Sequence, residues 1–149
     1  MRRKVLKWVG VGFVSALVLI QLVPYGRSHA NPPVKQEPAW DSPTTRELVV
    51  RACFDCHSNE TRWPWYSNVA PVSWLIQRDV DKGRREVNFS ELDREQRAAS
   101  EAGEEVQKGA MPQWYYVLLH SEAKLTPAEK DALVASLQKM FPERPRRRG

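Results

Sequence analysis

Cysteine is scarce in this chain: 149 residues hold two, Cys53 and Cys56. So few exclude a disulfide-stapled scaffold, and their close spacing makes them act as one unit or not at all. Histidine is nearly as scarce, with His29, His57 and His120 only. A structural zinc centre wants four ligands, which this set supplies poorly. No stretch alternates apolar and polar residues with a period of two, so a sheet-built fold is excluded. Acid is absent from the first thirty residues, which carry Arg2, Arg3, Lys4, Lys7 and Arg27. The last seven residues add four Arg against one Glu. The net charge of +5 therefore belongs to the ends, because residues 31–142 hold 14 Lys/Arg against 17 Asp/Glu. A groove that tracks phosphates needs its cations on the folded part, so nucleic acid is excluded as a partner. Charged residues at 28% and hydrophobic ones at 42% exclude bulk disorder, and the length suits one domain with an appendage.

One long apolar run is present. Residues 8–23, WVGVGFVSALVLIQLV, with Val5 and Leu6 before Lys7, would cover about 28 Å as a helix. This predicts a single transmembrane anchor over 1–27. The flanking cations place the N-terminus inside and the rest of the chain outside a bacterial cytoplasmic membrane, in the periplasm. The competing reading is a cleaved signal peptide ending at Ser28-His29-Ala30. Residues 28–43 hold four prolines and read as an extended linker, residues 44–141 as the functional domain, and residues 142–149 as a basic disordered tail.

Helical patterns fill the domain. Thr44 and Glu47 have capping-box spacing ahead of Leu48, Val49 and Ala52. Pro71 opens a helix with a Val72, Leu75, Ile76, Val80 stripe and Gly83 as its stop. Ser90 and Asp93 suggest another box, with Leu92, Ala99 and Val106 facing inward and an end at Gly109. Trp114 to His120 form a short apolar helix. Thr126-Pro127-Ala128-Glu129 starts the last one, continued by Leu133, Val134, Leu137 and Met140. The fold class is all-α.

Cys53-Phe54-Asp55-Cys56-His57 is C-x-x-C-H, the attachment pattern for c-type haem. Positions i and i+3 share one helix face, so both thiols can add to the vinyl groups of one porphyrin while His57 projects its imidazole towards the iron as proximal ligand. A thioredoxin-like thiol pair needs a βαβ context that this chain lacks. A protein that only passes electrons closes the sixth position. Met1 is the start and Met140 reads as core, which leaves Met111, in Gly109-Ala110-Met111-Pro112, as distal ligand. His120 is the rival, and an open position is the third option. Trp63, Trp65, Tyr66, Trp74, Trp114, Tyr115 and Tyr116 suit a haem-centred core, and Arg62 or Arg84 suit the propionates.

The sequence resembles the small haem-binding domain family of bacterial exported proteins, which are cytochrome c-like and often anchored at the N-terminus. The resemblance rests on CFDCHSNETRWPWY at 53–66, PVSWL at 71–75, GRREVNFS at 83–90, KGAMPQWYY at 108–116 and LHSEAKLTPAEKDAL at 119–133. It implies one covalent haem c on Cys53 and Cys56, His57 as proximal ligand and Met111 as distal ligand. Gln113 departs from the second proline expected after Pro112. The function expected is one-electron transfer by a non-enzyme among exported or membrane redox proteins. The alternative is a haem-based sensor or a gas- or peroxide-binding protein, with a CxxC thiol oxidoreductase behind it.

Overall fold

A computed structural model describes residues 2–142. The tail expected at 142–149 lies outside the described residues apart from Pro142. The described chain is helical, with α1 at Arg2–Ile20, α2 at Pro43–Ala52, α3 at Phe54–His57, α4 at Val72–Glu86, α5 at Ala102–Gln107, α6 at Trp114–Leu119 and α7 at Pro127–Met140. The only pairing of extended backbone recorded among these residues is a single bridge between Gln36 and Glu91. The all-α reading therefore stands.

The transmembrane reading does not. Among the described residues no helix is long and apolar enough to cross a membrane. The physical reason is where α1 begins and ends. Its 19 residues take in Arg2, Arg3, Lys4 and Lys7, and it stops before Leu22 and Val23. The uncharged part from Trp8 to Ile20 is then about 20 Å long, against a hydrocarbon core of about 30 Å. The single-pass placement in a cytoplasmic membrane, with the domain on the periplasmic side, falls with it.

The chain divides into two compact units. One comprises residues 2–30 and 63–79. In it, Gln21 follows α1 and pairs with both backbone groups of Ala70, its Nε2 donating to the carbonyl at 2.9 Å and its Oε1 accepting from the N–H at 3.0 Å. The His29 ring stacks on Trp63 at 4.7 Å. Of the stripe expected on α4, Val72 and Leu75 are exposed.

The other unit comprises residues 31–62 and 80–142 and holds the larger core. Leu48 and Val49 of α2, Phe54 of α3, Val87, Phe89, Ala99, Val106 of α5, and Leu133 and Leu137 of α7 form one buried cluster. Ser42 caps α2 by accepting from Thr45 N–H, with Pro43 in the first turn, so the helix starts earlier than the Thr44 box suggested. Across from it, Ser136 of α7 bonds both Thr45 and Asp41. The capping box at α7 is complete: Thr126 Oγ1 accepts from Glu129 N–H at 3.3 Å, and Glu129 Oε2 accepts from Thr126 N–H at 2.8 Å. Gly103 lets α5 lie close to α7, since a Cβ there would meet Gln138 Cγ at 2.8 Å.

Two expected helix ends differ. Ser90 caps nothing, because its hydroxyl accepts from Asn59 N–H and its carbonyl accepts from Lys35 and Gln36. The expected long helix behind it is consequently a turn-rich stretch, a short 3-10 turn at Ala99–Glu101 and the six-residue α5. Gly83 does not stop α4, which runs on to Glu86. The glycine is there for close approach, as the site shows.

Candidate functional site

The C-x-x-C-H residues sit where α2 turns into α3. Cys53 ends α2 with its N–H on the Val49 carbonyl. Its own carbonyl then accepts from Cys56 N–H at 3.1 Å and His57 N–H at 2.9 Å. One helical turn therefore carries both thiols and the imidazole. Neither cysteine is in a disulfide, and both are partly buried. Burial pushes the Cys53 thiol up to about 12, the opposite of what a thiolate nucleophile needs.

His57 is clamped by residues 87–89. Phe89 N–H donates to the His57 carbonyl at 2.8 Å, and His57 Nδ1 lies 3.0 Å from the Val87 carbonyl. A carbonyl can only accept, so Nδ1 carries the proton and the lone pair of the neutral ring is on Nε2. Burial holds this imidazole below its usual pKa, against the pull of the Val87 and Gly83 carbonyls. A neutral ring, oriented through Nδ1, is the form that ligates a metal.

The loop behind His57 is tied at nearly every residue. Ser58 Oγ donates to the Phe54 carbonyl at 2.8 Å, and Arg84 Nε donates to the Ser58 carbonyl at 2.8 Å. Asn88 Nδ2 donates to Asn59 Oδ1 at 2.9 Å, and Thr61 Oγ1 donates to the Asp55 carbonyl at 2.8 Å. Gly83 of α4 abuts Cys56 so closely that a Cβ would overlap the Cys56 carbonyl.

Asp55 is buried inside the motif and gathers donors. Arg62 reaches it through its backbone N–H at 3.0 Å and its guanidinium at 3.2 Å, and Tyr116 donates its hydroxyl at 2.7 Å. Burial, then this bond to the carboxylate, pushes the Tyr116 phenol well above its ordinary pKa. His120 stacks on the Tyr116 ring at 4.2 Å, with Nδ1 3.1 Å from the Tyr116 carbonyl. Met111 lies in the loop after α5, half-buried and packed against the core cluster, with its N–H on the Glu105 carbonyl at 3.1 Å.

Of the aromatics expected around the motif, Tyr116 reaches it through Asp55, and the rings beside His57 are others. Trp40, Phe54 and Phe89 pack within 6.4 Å of one another, and the Phe89 ring lies 6.4 Å from that of His57. Trp63, Trp65, Tyr66 and Trp74 belong to the other unit, and Trp65 and Trp114 are largely exposed. Of the expected propionate partners, Arg62 pairs with Asp55 and Arg84 holds the loop after His57. Asp55, the Val87 carbonyl and Trp40 were not singled out from the sequence, and Gly83 was read only as a helix stop. The only signal was Asp55 standing within C-x-x-C-H.

Among the described residues, no group of three or more His, Cys, Asp or Glu side chains is arranged to hold a metal ion. What the residues do fit is a metal brought in by its own macrocycle: two thiols on one turn, a neutral imidazole aimed by a carbonyl, and an aromatic wall. This defines the class as a small all-α haem protein. A family model described as a haem-binding domain matches residues 15–139, and the chain belongs to that family. No curated protein and no solved structure matches it.

Proposed function

We propose that this chain carries one haem c, bound through thioethers at Cys53 and Cys56, and works as a one-electron carrier and not as an enzyme. The His57 imidazole, through Nε2, and the Met111 thioether would hold its iron. The observation that carries the reading is the C-x-x-C-H turn with His57 Nδ1 fixed on the Val87 carbonyl, within a haem-binding family. When bound, the haem supplies the Fe(III)/Fe(II) couple, and a Met ligand raises its potential. The chain's own residues do the rest. Residues 87–89 hold the proximal imidazole in one tautomer and one orientation. Phe54, Phe89 and Trp40 keep water from that side. The Glu105 carbonyl fixes the backbone at Met111. Partners are other redox proteins, met through small transient interfaces.

A second reading has one observation behind it. His120 Nδ1 also faces a carbonyl, that of Tyr116 at 3.1 Å, so this ring is held in the same tautomer as that of His57. A labile or different sixth ligand would turn the protein towards sensing or gas and peroxide binding.

The test is the optical spectrum of the protein made with cytochrome c maturation machinery, followed through acid–acetone extraction. Haem that stays with the protein supports the thioethers. A weak far-red charge-transfer band in the ferric form, lost in Met111→Ala, supports His/Met ligation. Covalent haem without that band moves the reading to His120 or an open site. No covalent haem sinks it.

A further inference from the structure

We infer that Tyr116 is a positioning residue that couples the distal loop to the haem-attachment turn through Asp55; this rests on Cys53, Cys56, His57 and Met111 being the haem-binding set. The geometry is direct. The Tyr116 hydroxyl donates to Asp55 Oδ2 at 2.7 Å, and Asp55 lies between the two attachment cysteines. Asp55 is buried, at 7% exposure, and its other oxygen is taken by the Arg62 backbone and guanidinium. The carboxylate is thus locked to the turn that carries His57, and Tyr116 bonds to a fixed point.

On the other side, Tyr116 follows Met111 by five residues. The loop after Met111 is short: α6 begins at Trp114, and its first N–H groups, of Tyr116 and Val117, close on the Gln113 carbonyl. A displacement of α6 therefore reaches Met111 through two intervening residues, Pro112 and Gln113. α6 buries little apolar surface. None of its residues is fully buried, and Trp114, Leu118 and Leu119 are largely exposed. A helix with so little apolar burial gains much from a polar tie. A hydrogen bond to a charged acceptor is among the stronger ones available, and a partly buried site strengthens it.

The bond completes a covalent and hydrogen-bonded path from His57 through Asp55 and Tyr116 to Met111. Its role is to keep the thioether within reach of the iron and exogenous ligands out. Its loss loosens Met111 without unfolding the domain, since neither Tyr116 nor Asp55 belongs to the buried apolar cluster.

The experiment compares the ferric holoprotein with its Tyr116→Phe, Asp55→Ala and double variants, titrated with imidazole, while denaturant unfolding is followed on each. Tyr116→Phe keeps the ring and its stacking on His120 and removes only the hydroxyl. The expected result is imidazole binding about ten-fold or more tighter in Tyr116→Phe, with unfolding still cooperative and its midpoint lowered by no more than the loss of one such bond dictates. The double variant is expected to bind no tighter than Asp55→Ala alone. If Asp55→Ala does not fold, Tyr116→Phe decides by itself. Unchanged imidazole affinity in Tyr116→Phe, with a wild type that shows the far-red band, overturns this inference and leaves the ligand set standing. A wild type without covalent haem or without that band overturns the ligand set and this inference with it.

Discussion

Gly83 of α4 lies against the backbone of Cys56, near enough that its own missing Cβ would overlap the Cys56 carbonyl and sit 3.2 Å from the Cys56 Cβ. The neighbour is main chain, which cannot swing aside. Gly83→Ala should therefore push α4 off the attachment turn and destabilise the domain by about 1–3 kcal/mol, although alanine is the better helix former. Denaturant midpoints and the yield of covalent haem check this. A stabilised Gly83→Ala protein with full haem would refute the close approach.

Leu137 and Leu118 separate core from surface in the same unit. Leu137 is 2% exposed in the core cluster, whereas Leu118 on α6 is 73% exposed. Leu137→Ala should cost about 2–5 kcal/mol and Leu118→Ala no more than about 0.5 kcal/mol. Urea unfolding of the two variants measures both. Similar losses would contradict the packing described for α7.

The helices whose local signals agree with their packing were legible in the sequence. Thr126 with Glu129 predicted the start of α7, and Leu48, Val49, Leu133 and Leu137, read as apolar helix positions, all lie in the buried cluster. The motif turn was legible because three chemically distinctive residues sit within five positions. What supports the motif was not. Val87 acts through a carbonyl, Gly83 through an absent side chain and Asp55 through a contact with Tyr116 far along the chain, and none leaves a periodic trace. Ser90 misled for a related reason: its hydroxyl serves Asn59, a tertiary partner that outcompetes the cap. The apolar run at 8–23 overstated α1 because a hydropathy reading ignores where the helix stops. Gln21, turned onto Ala70, lies just past that end.

Glu129 ties stability to pH. The Thr126 N–H, and then Arg51, hold its carboxyl at about 2 against an ordinary value of 4.5. The folded state thus prefers the ionised form, so this group's contribution is full above pH 4.5 and is lost as pH falls through about 2. Glu129→Gln should lower the melting temperature near neutrality, and the gap from wild type should close as the pH drops across that window. Melting curves from pH 7 down to about 2 follow it. A gap of constant size would mean that the carboxylate charge contributes nothing at this cap.

Asn88 is the buried polar link between the stretch beside His57 and the loop behind it. It is 2% exposed, its Nδ2 donates to Asn59 Oδ1 at 2.9 Å and its Oδ1 accepts from Ser90 N–H at 2.9 Å. Leucine has nearly the same volume and no polar atoms. Asn88→Leu would leave one buried acceptor and one buried donor without partners, at about 1–3 kcal/mol each. Because Val87 and Phe89 flank this position and clamp His57, the loss should reach the proximal ligand as well as the fold. We expect a lower unfolding midpoint together with faster amide exchange at Ser90 and Phe89. Slow exchange at both amides in a destabilised variant would show that the clamp on His57 stands without Asn88, and that the asparagine serves only the loop.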